Sequence, residues 1–490
     1  MANPSLLRSE ALVDGKWVSA ASGKRFDIED PGTGSVFASC PDLDKTDVDA
    51  AVQSSHAAFQ QYRLENPRSR AQKLLRWDQL IRENKEDIAL VLTYESGKPL
   101  AEARGEIDYA LGFTWWFAGE AERIRGNISR PSAPNRRVFV VKQPIGVSVA
   151  LVPWNFPIAM ILRKAGAALA AGCTIIAKPS PETPLTCLIL ADLALKAGFS
   201  PGLFNVVTTS LGNTPEVAET LCKHPLVSKV SFTGSTAIGS LIARHCAEGL
   251  KKVTLELGGN CPFLVFDDCN QDQALEALLA LKWRHAGQAC VTANRVYVQD
   301  EIYEEFLQKL VAATRQIRLG HGTTPGTTMG PLTTSRGASK AQLHVDDAIE
   351  NGARLLLGGR VPSELGTGYF YEPTVLGDMK QSMLMSREET FAPVLGVYCF
   401  TTEKQAVEWA NNTSMGLASY FFTKDVDRTW RLLENLEAGM IGMNTGNSSA
   451  AESPFGGIKL SGYGKESGKE VAIEEYLISK TGTMTLEQQY

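Results

Sequence analysis

The 490-residue chain contains no Cys-x-x-Cys and no His-x-x-x-His pair, and its nine cysteines are an odd number spread from Cys40 to Cys399. That pattern excludes a disulfide framework and a zinc site, and leaves most of the thiols as buried core. A basic excess is missing too. Forty-nine Lys and Arg stand against 54 acidic residues, a net charge of −5, so no cationic surplus exists to neutralise a nucleic-acid backbone. No run can cross a bilayer as a helix: the longest uncharged stretch, 143–162, holds Pro144, Pro153, Asn155 and Pro157 and ends against Arg163-Lys164. It reads instead as strand, loop and helix start. The opening MANPSLLRSE has neither an apolar h-region nor an acid-free, Arg-rich amphipathic stretch, so no leader is expected and a cytoplasmic home follows. Repeats and low-complexity tracts are absent. With 44% hydrophobic residues, 43 Gly and 23 Pro, the composition is that of a folded globular protein of two or three domains.

What the chain does have is alternation. Short apolar runs at 147–152, 174–177, 204–207, 229–232 and 252–255 are separated by helical patterns such as 183–197. Nearly continuous apolar strands with helical crossovers predict a parallel sheet covered on both faces. Helical patterns at 48–62 and 67–94 precede it, with an alternating pair around 137–149 that suggests a protruding hairpin. A second α/β series follows from the Gly258-Gly259 turn, with helices at 271–285 and 302–317 and a strand at 295–298. The terminal stretch 474–481 is strand-like and too short to stand alone.

Three segments carry possible chemistry. Gly198-Phe199-Ser200-Pro201-Gly202 matches the Gly-x-Ser-x-Gly elbow, but a helix precedes it and a strand follows, the reverse of what a nucleophile elbow needs. It reads as a helix-ending turn. The segment 232–239, with Gly234, Ser235 and Gly239, lies where a strand gives way to a helix, and free N–H groups there suit a pyrophosphate. It lacks the Gly-x-Gly-x-x-Gly fingerprint, so a plain turn competes on equal terms. Finally, Glu256 ends a buried strand 34 positions before Cys290. A carboxyl there must pair or stay protonated, which suits a general base near neutral pH, and a thiolate after the Gly287 turn can attack a carbonyl carbon.

Together with Pro153-Trp154-Asn155-Phe156-Pro157, Lys178-Pro179-Ser180, Glu388-Glu389-Thr390-Phe391-Ala392-Pro393 and the Pro454 to Gly462 segment, these pieces resemble the aldehyde dehydrogenase superfamily over essentially the whole chain. The resemblance implies an α/β fold of two Rossmann-like parallel-sheet domains plus a small β oligomerisation element. It assigns 1–128 and 148–258 to dinucleotide binding, 259–469 to catalysis, and 129–147 with 470–490 to assembly as a homodimer or homotetramer. It also implies that Cys290 attacks the aldehyde, that the Asn155 amide and the Cys290 N–H hold the oxyanion, that hydride leaves to nicotinamide, and that Glu256 activates the water that hydrolyses the thioester. Trp154, Lys178, Pro179, Ser180, Pro181, Gly234, Ser235, Leu257, Glu389 and Phe391 are the implied dinucleotide contacts. No metal is implied.

Within the superfamily the chain is similar to the succinate-semialdehyde dehydrogenases of 4-aminobutanoate degradation. Arg163 and Arg284 match the pair that grips the distal carboxylate there, with Ser449 as a third contact. Two departures stand out. Thr292 replaces the second cysteine found beside the nucleophile in many members, so a disulfide at that place is not expected. Pro181 stands where NAD-preferring relatives carry Glu, which should leave Lys178 and Ser180 free for the 2′-phosphate of NADP, with NAD as the weaker cofactor and Glu182 one step away. The alternatives are an enzyme for glutarate semialdehyde or another small aldehyde, a thiol hydrolase, and a non-catalytic binding protein on the same fold.

Overall fold

The computed structural model describes residues 3–487, so the last three positions of the expected 470–490 element lie outside the described residues. Every residue of Val147–Leu151 and Thr174–Lys178 is buried, as parallel strands covered on both faces require. They form the centre of an eight-stranded sheet in the order Lys16–Val18, Ala11–Val13, Phe204–Val206, Thr174–Lys178, Val147–Leu151, Val227–Thr233, Lys252–Glu256, Gly462–Tyr463. The five central strands are parallel and the outer ones antiparallel. Helix Pro157–Ala171 is buried along its whole length. Proline at its first position pre-sets the turn, and Gly172 ends it at φ 92°, a left-handed conformation that costs glycine little. Gly198–Gly202 is the turn between helix Pro184–Lys196 and strand Phe204–Val206, as its context predicted.

The second sheet has seven strands in the order Arg354–Leu357, Thr374–Gly377, Val394–Phe400, Ala293–Gln299, Cys261–Val265, Ala418–Phe422, Met440–Met443, all parallel except the first. Its first strand in sequence begins two residues after Gly259. The chain then returns to the first sheet at Gly462–Tyr463, which pairs with the end of Lys252–Glu256.

The alternating stretch 137–149 is not one hairpin. Arg136–Pro144, half-exposed along most of its length, belongs to a separate three-stranded sheet between Asn127–Ser129 and Leu477–Thr485, whereas Val147–Leu151 turns into the main sheet. The turn runs through Gly146 at φ 139°, where a Cβ would press on the Ser228 side chain. No described helix is long and apolar enough to cross a membrane.

Candidate active site

Between the two large sheets lies a cavity of about 580 Å³ whose lining includes Tyr109, Phe156, Arg163, Arg284, Cys290 and Ser449. The backbone that presents Cys290 is unusual. After helix Gln271–Lys282 a short turn puts His285, Ala286 and Gly287 in succession at φ 49°, 52° and 73°. Two non-glycine residues in this region are costly and persist only where neighbours fix them. Three bonds do so: the His285 N–H donates to the Glu102 carboxylate at 2.7 Å, the Gln288 amide donates to the His285 carbonyl at 2.9 Å, and its oxygen accepts from the Thr333 N–H at 3.0 Å. At Gly287 a Cβ would lie 2.3 Å from the Ala392 carbonyl oxygen, so the turn tolerates no side chain there.

Glu256 ends its strand beside Cys290 and is 1% exposed. Apart from the Cys290 thiol its carboxylate meets no hydrogen-bond donor. Burial, with the charge of Glu466 adding to it, pushes Glu256 up to about 7, while Arg163 and the thiol pull the other way. Burial and the neighbouring Glu256 likewise raise the Cys290 thiol well above its ordinary value. The resting pair therefore shares few charges, and the thiol's natural proton acceptor is Glu256.

Asn155 is buried next to Phe156 of the cavity wall. Its side-chain amide donates to the Gln288 carbonyl at 3.0 Å, and that bond uses one of its two protons. A buried ion pair fixes the loop behind it. Lys98 pairs with Glu106 and donates to the Asn155 carbonyl at 2.8 Å, and Glu106 accepts the first N–H groups of helix Pro157–Ala171 from Ile158 at 2.9 Å and Ala159 at 3.2 Å. A carboxylate at a helix N-terminus and an ammonium on the preceding loop together hold the amide in place.

The two arginines differ. Arg163 is 1% exposed, held between the rings of Phe455 at 4.0 Å and Phe113 at 5.0 Å, with Glu466 at 3.5 Å and the Tyr109 hydroxyl at 2.8 Å. Arg284 is exposed, lies 5.1 Å over the Phe156 ring, and makes no ion pair among the described residues. Ser449 hydrogen-bonds Tyr109, so it stands close to Arg163.

The residues expected to meet the dinucleotide come from several elements. Ser235 caps helix Thr236–Ala247, Gly234 turns where a Cβ would strike the Phe232 ring, and Gly239 packs where a Cβ would strike Leu257. Lys178 ends its strand flanked by Pro179. It is 5% exposed, its ammonium forms no hydrogen bond or ion pair among the described residues, and burial lowers it to about 8. Glu389 accepts from the Gly259 N–H at 3.2 Å, and burial raises it to about 8. Phe391 and Trp154 meet edge to face at 5.5 Å. A buried, unpaired ammonium, a half-buried carboxylate and a capped helix start fit a dinucleotide with an anionic pyrophosphate and ribose hydroxyls. Ser180 is not free, however: beyond Pro181, Glu182 has swung in to accept its hydroxyl, and the second Glu182 oxygen lies 3.7 Å from Arg336.

Sequence reasoning missed Tyr109, Lys98, Glu106, Glu102, Lys164 and Glu466. The eight-residue spacing of Lys98 and Glu106 straddles a helix start and gives no periodic signal. Glu466 comes from the return segment and meets Lys164, Ser231 and Thr233 at long range. No group of three or more His, Cys, Asp or Glu suited to a metal occurs among the described residues.

Similar proteins agree over nearly the full length. The chain is 48% identical over 476 residues to a 3-sulfolactaldehyde dehydrogenase of Pseudomonas putida, with 97% of this chain and 96% of the relative covered. It is 47% identical over 472 residues to a glutarate-semialdehyde dehydrogenase of Pseudomonas aeruginosa, covering 96% of each. It is also 47% identical over 478 residues to an NADP(+) succinate-semialdehyde dehydrogenase of Schizosaccharomyces pombe, covering 97% and 95%. Among solved structures, a succinate-semialdehyde dehydrogenase from Burkholderia pseudomallei superposes with TM-score 0.97 at 43% identity, covering 99% of this chain and all of the other. With a profile of the Aldehyde dehydrogenase family matching residues 17–481 across both large sheets and the cavity between them, the chain belongs to that family.

Proposed function

We propose that the protein oxidises a small aldehyde carrying a distal anion, succinate semialdehyde foremost, to the carboxylic acid with NADP, and uses NAD less well. The observation that carries the reading is the cavity that places Cys290 in one space with two guanidinium groups, one of them unpaired. A guanidinium fork facing apolar walls is stabilised by a carboxylate or sulfonate and by little else. The three relatives act, by their names, on sulfolactaldehyde, glutarate semialdehyde and succinate semialdehyde, each of which carries such a group.

In this mechanism Glu256 takes the Cys290 proton and the thiolate attacks the aldehyde carbon. The oxyanion that forms is held by the free proton of the Asn155 amide and by the Cys290 N–H. Trp154, Lys178, Pro179, Ser180, Pro181, Gly234, Ser235, Leu257, Glu389 and Phe391 would hold the dinucleotide, whose nicotinamide would take up the hydride from the former aldehyde carbon and so leave the thioester. Glu256 passes that proton on to solvent and, ionised again, deprotonates a water; the hydroxide attacks the thioester carbon, and the C–S bond breaks to release the acid and the Cys290 thiolate, which recovers a proton from Glu256. Arg284, Arg163 and Ser449 orient the substrate through its anion.

The three-stranded sheet exposes Ile128, Val141, Ile478 and Met484, which supports assembly of identical subunits through that element as a dimer or tetramer. All nine cysteines are free thiols, which suits a cytoplasmic setting. The test is the initial rate of NADPH formation with succinate semialdehyde, glutarate semialdehyde, 3-sulfolactaldehyde and butanal. A preference of about a hundredfold for an anionic substrate over butanal is expected, and the best of the three anions names the substrate. Equal rates with butanal overturn the reading.

A further inference from the structure

Tyr109 faces the cavity from helix Leu100–Ala121, and its hydroxyl lies between two groups already met. Arg163 donates to it from Nη2 at 2.8 Å, and Ser449 lies in hydrogen-bond contact on its other side. The direction of the protons follows from what each group can do. A guanidinium has donors only, so the phenol oxygen must accept from Arg163. A phenol is a stronger acid than an aliphatic alcohol, and a cation bonded to its oxygen makes it a better donor still. Its single proton therefore goes to the Ser449 oxygen. Ser449 then accepts from Tyr109, and its own proton is left to point into the cavity.

The ring that carries this hydroxyl is fixed. Tyr109 packs edge to face on Phe113, one helical turn on, with centroids 5.1 Å apart, and Phe113 in turn lies 5.0 Å from the Arg163 guanidinium. Ser449 is held from its backbone side by a bond from its N–H to the Asn447 side chain at 3.2 Å. Arg163 is 1% exposed, and Glu466 already takes part of its charge at 3.5 Å, so its reach toward an anion is strengthened by a relay through neighbouring hydroxyls.

We propose that Tyr109 is the specificity-setting positioning residue of this cavity: it passes the polarity of buried Arg163 to Ser449 and aims the Ser449 hydroxyl proton at the distal anion of the substrate. The inference rests on the anionic-aldehyde reading above and adds the residue that makes Ser449 a donor. Without the Tyr109 hydroxyl, Ser449 can spend its proton elsewhere, and Arg163 loses its shortest partner.

The experiment compares Tyr109→Phe, Ser449→Ala and the double variant with the parent enzyme, using succinate semialdehyde beside butanal. Phenylalanine keeps the packing on Phe113, so a loss of selectivity reports the hydroxyl. The expected result is a KM for succinate semialdehyde raised about tenfold in Tyr109→Phe, the scale of one hydrogen bond to a charged group. kcat should change much less, and the acid-to-butanal selectivity should fall by the same tenfold. Because both residues act in one chain, the double variant should lose no more than about twofold beyond Ser449→Ala. An unchanged selectivity in Tyr109→Phe, an equal loss with both aldehydes, or multiplicative losses in the double variant overturn the assignment. If the parent enzyme itself fails to prefer the acid, the substrate reading falls and this one with it. If the parent prefers it and Tyr109→Phe does too, only the role of Tyr109 falls.

Discussion

Replacing Glu256 by Gln should make the protein more resistant to unfolding as pH rises, at the expense of turnover. Burial and Glu466 lift Glu256 from the usual 4.5 to about 7. A group whose folded pKa is raised binds its proton more tightly in the folded state. Its ionisation therefore costs nothing below about pH 4.5, costs progressively more up to pH 7, and is constant above. At about 1.4 kcal/mol per unit, the full shift corresponds to roughly 3 kcal/mol, of which about 2–3 kcal/mol accrues between pH 5 and pH 8. Glutamine removes that slope but leaves a buried amide to satisfy, a constant penalty of about 1–3 kcal/mol. The quantity to measure is thus the change with pH. Urea unfolding followed by tryptophan fluorescence at pH 5 and pH 8 should show the variant gaining about 2–3 kcal/mol on the parent enzyme. Steady-state turnover at pH 8 should fall by roughly 10²–10⁴-fold, and the rise of parental kcat through about pH 7 should vanish. A stability difference that is the same at both pH values, or a variant that keeps the pH 7 inflection, would refute the reasoning.

Arg284→Gln removes an exposed cation that makes no ion pair among the described residues and only stacks over Phe156, so the fold should be little affected. Its loss should cost about 1.5–3 kcal/mol in transition-state binding of succinate semialdehyde, lowering selectivity over butanal by roughly 10–150-fold; parallel kcat/KM measurements with the two aldehydes check this, and unchanged selectivity counts against the clamp. Glu182→Gln frees Ser180 from an anionic partner and removes a negative charge from the neighbourhood of Lys178. The ratio of kcat/KM for NADP to that for NAD should rise several-fold, and a fall would place Glu182 on the favourable side of the 2′-phosphate.

The sequence made the parallel strands legible because strands buried on both faces are nearly continuous apolar runs, and 147–152 and 174–177 are such runs, broken only by the small polar residues Ser148 and Thr174. Glu256 and Cys290 were legible for a related reason: a carboxyl ending such a strand and a thiol just past a glycine turn are chemical exceptions in an apolar setting. The partner of Arg136–Pro144 was not. Its alternation gives the face but not the mate, and the mate is Leu477–Thr485, more than 330 residues on. Tyr109 was hidden for the opposite reason, since an aromatic four residues before Phe113 on a helix reads as ordinary packing. Only the arrival of Arg163 and Ser449 from distant segments gives its hydroxyl a task. The position of Glu182 depended on a loop bend that the Pro181 spacing does not encode.

Two carboxylates in one buried region show how the surroundings divide the work. Burial alone would raise Glu466, but Lys164 and Arg163 outweigh it and hold it below the usual range, with Ser231 and Thr233 adding donors. Glu466 therefore stays ionised. Glu256 meets almost no donors, and the fixed negative charge of Glu466 works against its ionisation, so its pKa comes to rest near neutrality. The strength of the proposed base is thus set partly by Glu466, which is not part of the cavity wall. A Glu256 as well paired as Glu466 would stay ionised yet be too weak to take a proton from a thiol raised by its own burial. By leaving one carboxylate without donors and saturating the other, the fold gives up stability at the first and restores it at the second, and puts beside Cys290 a carboxyl that titrates near neutrality, the property that the proposed base requires.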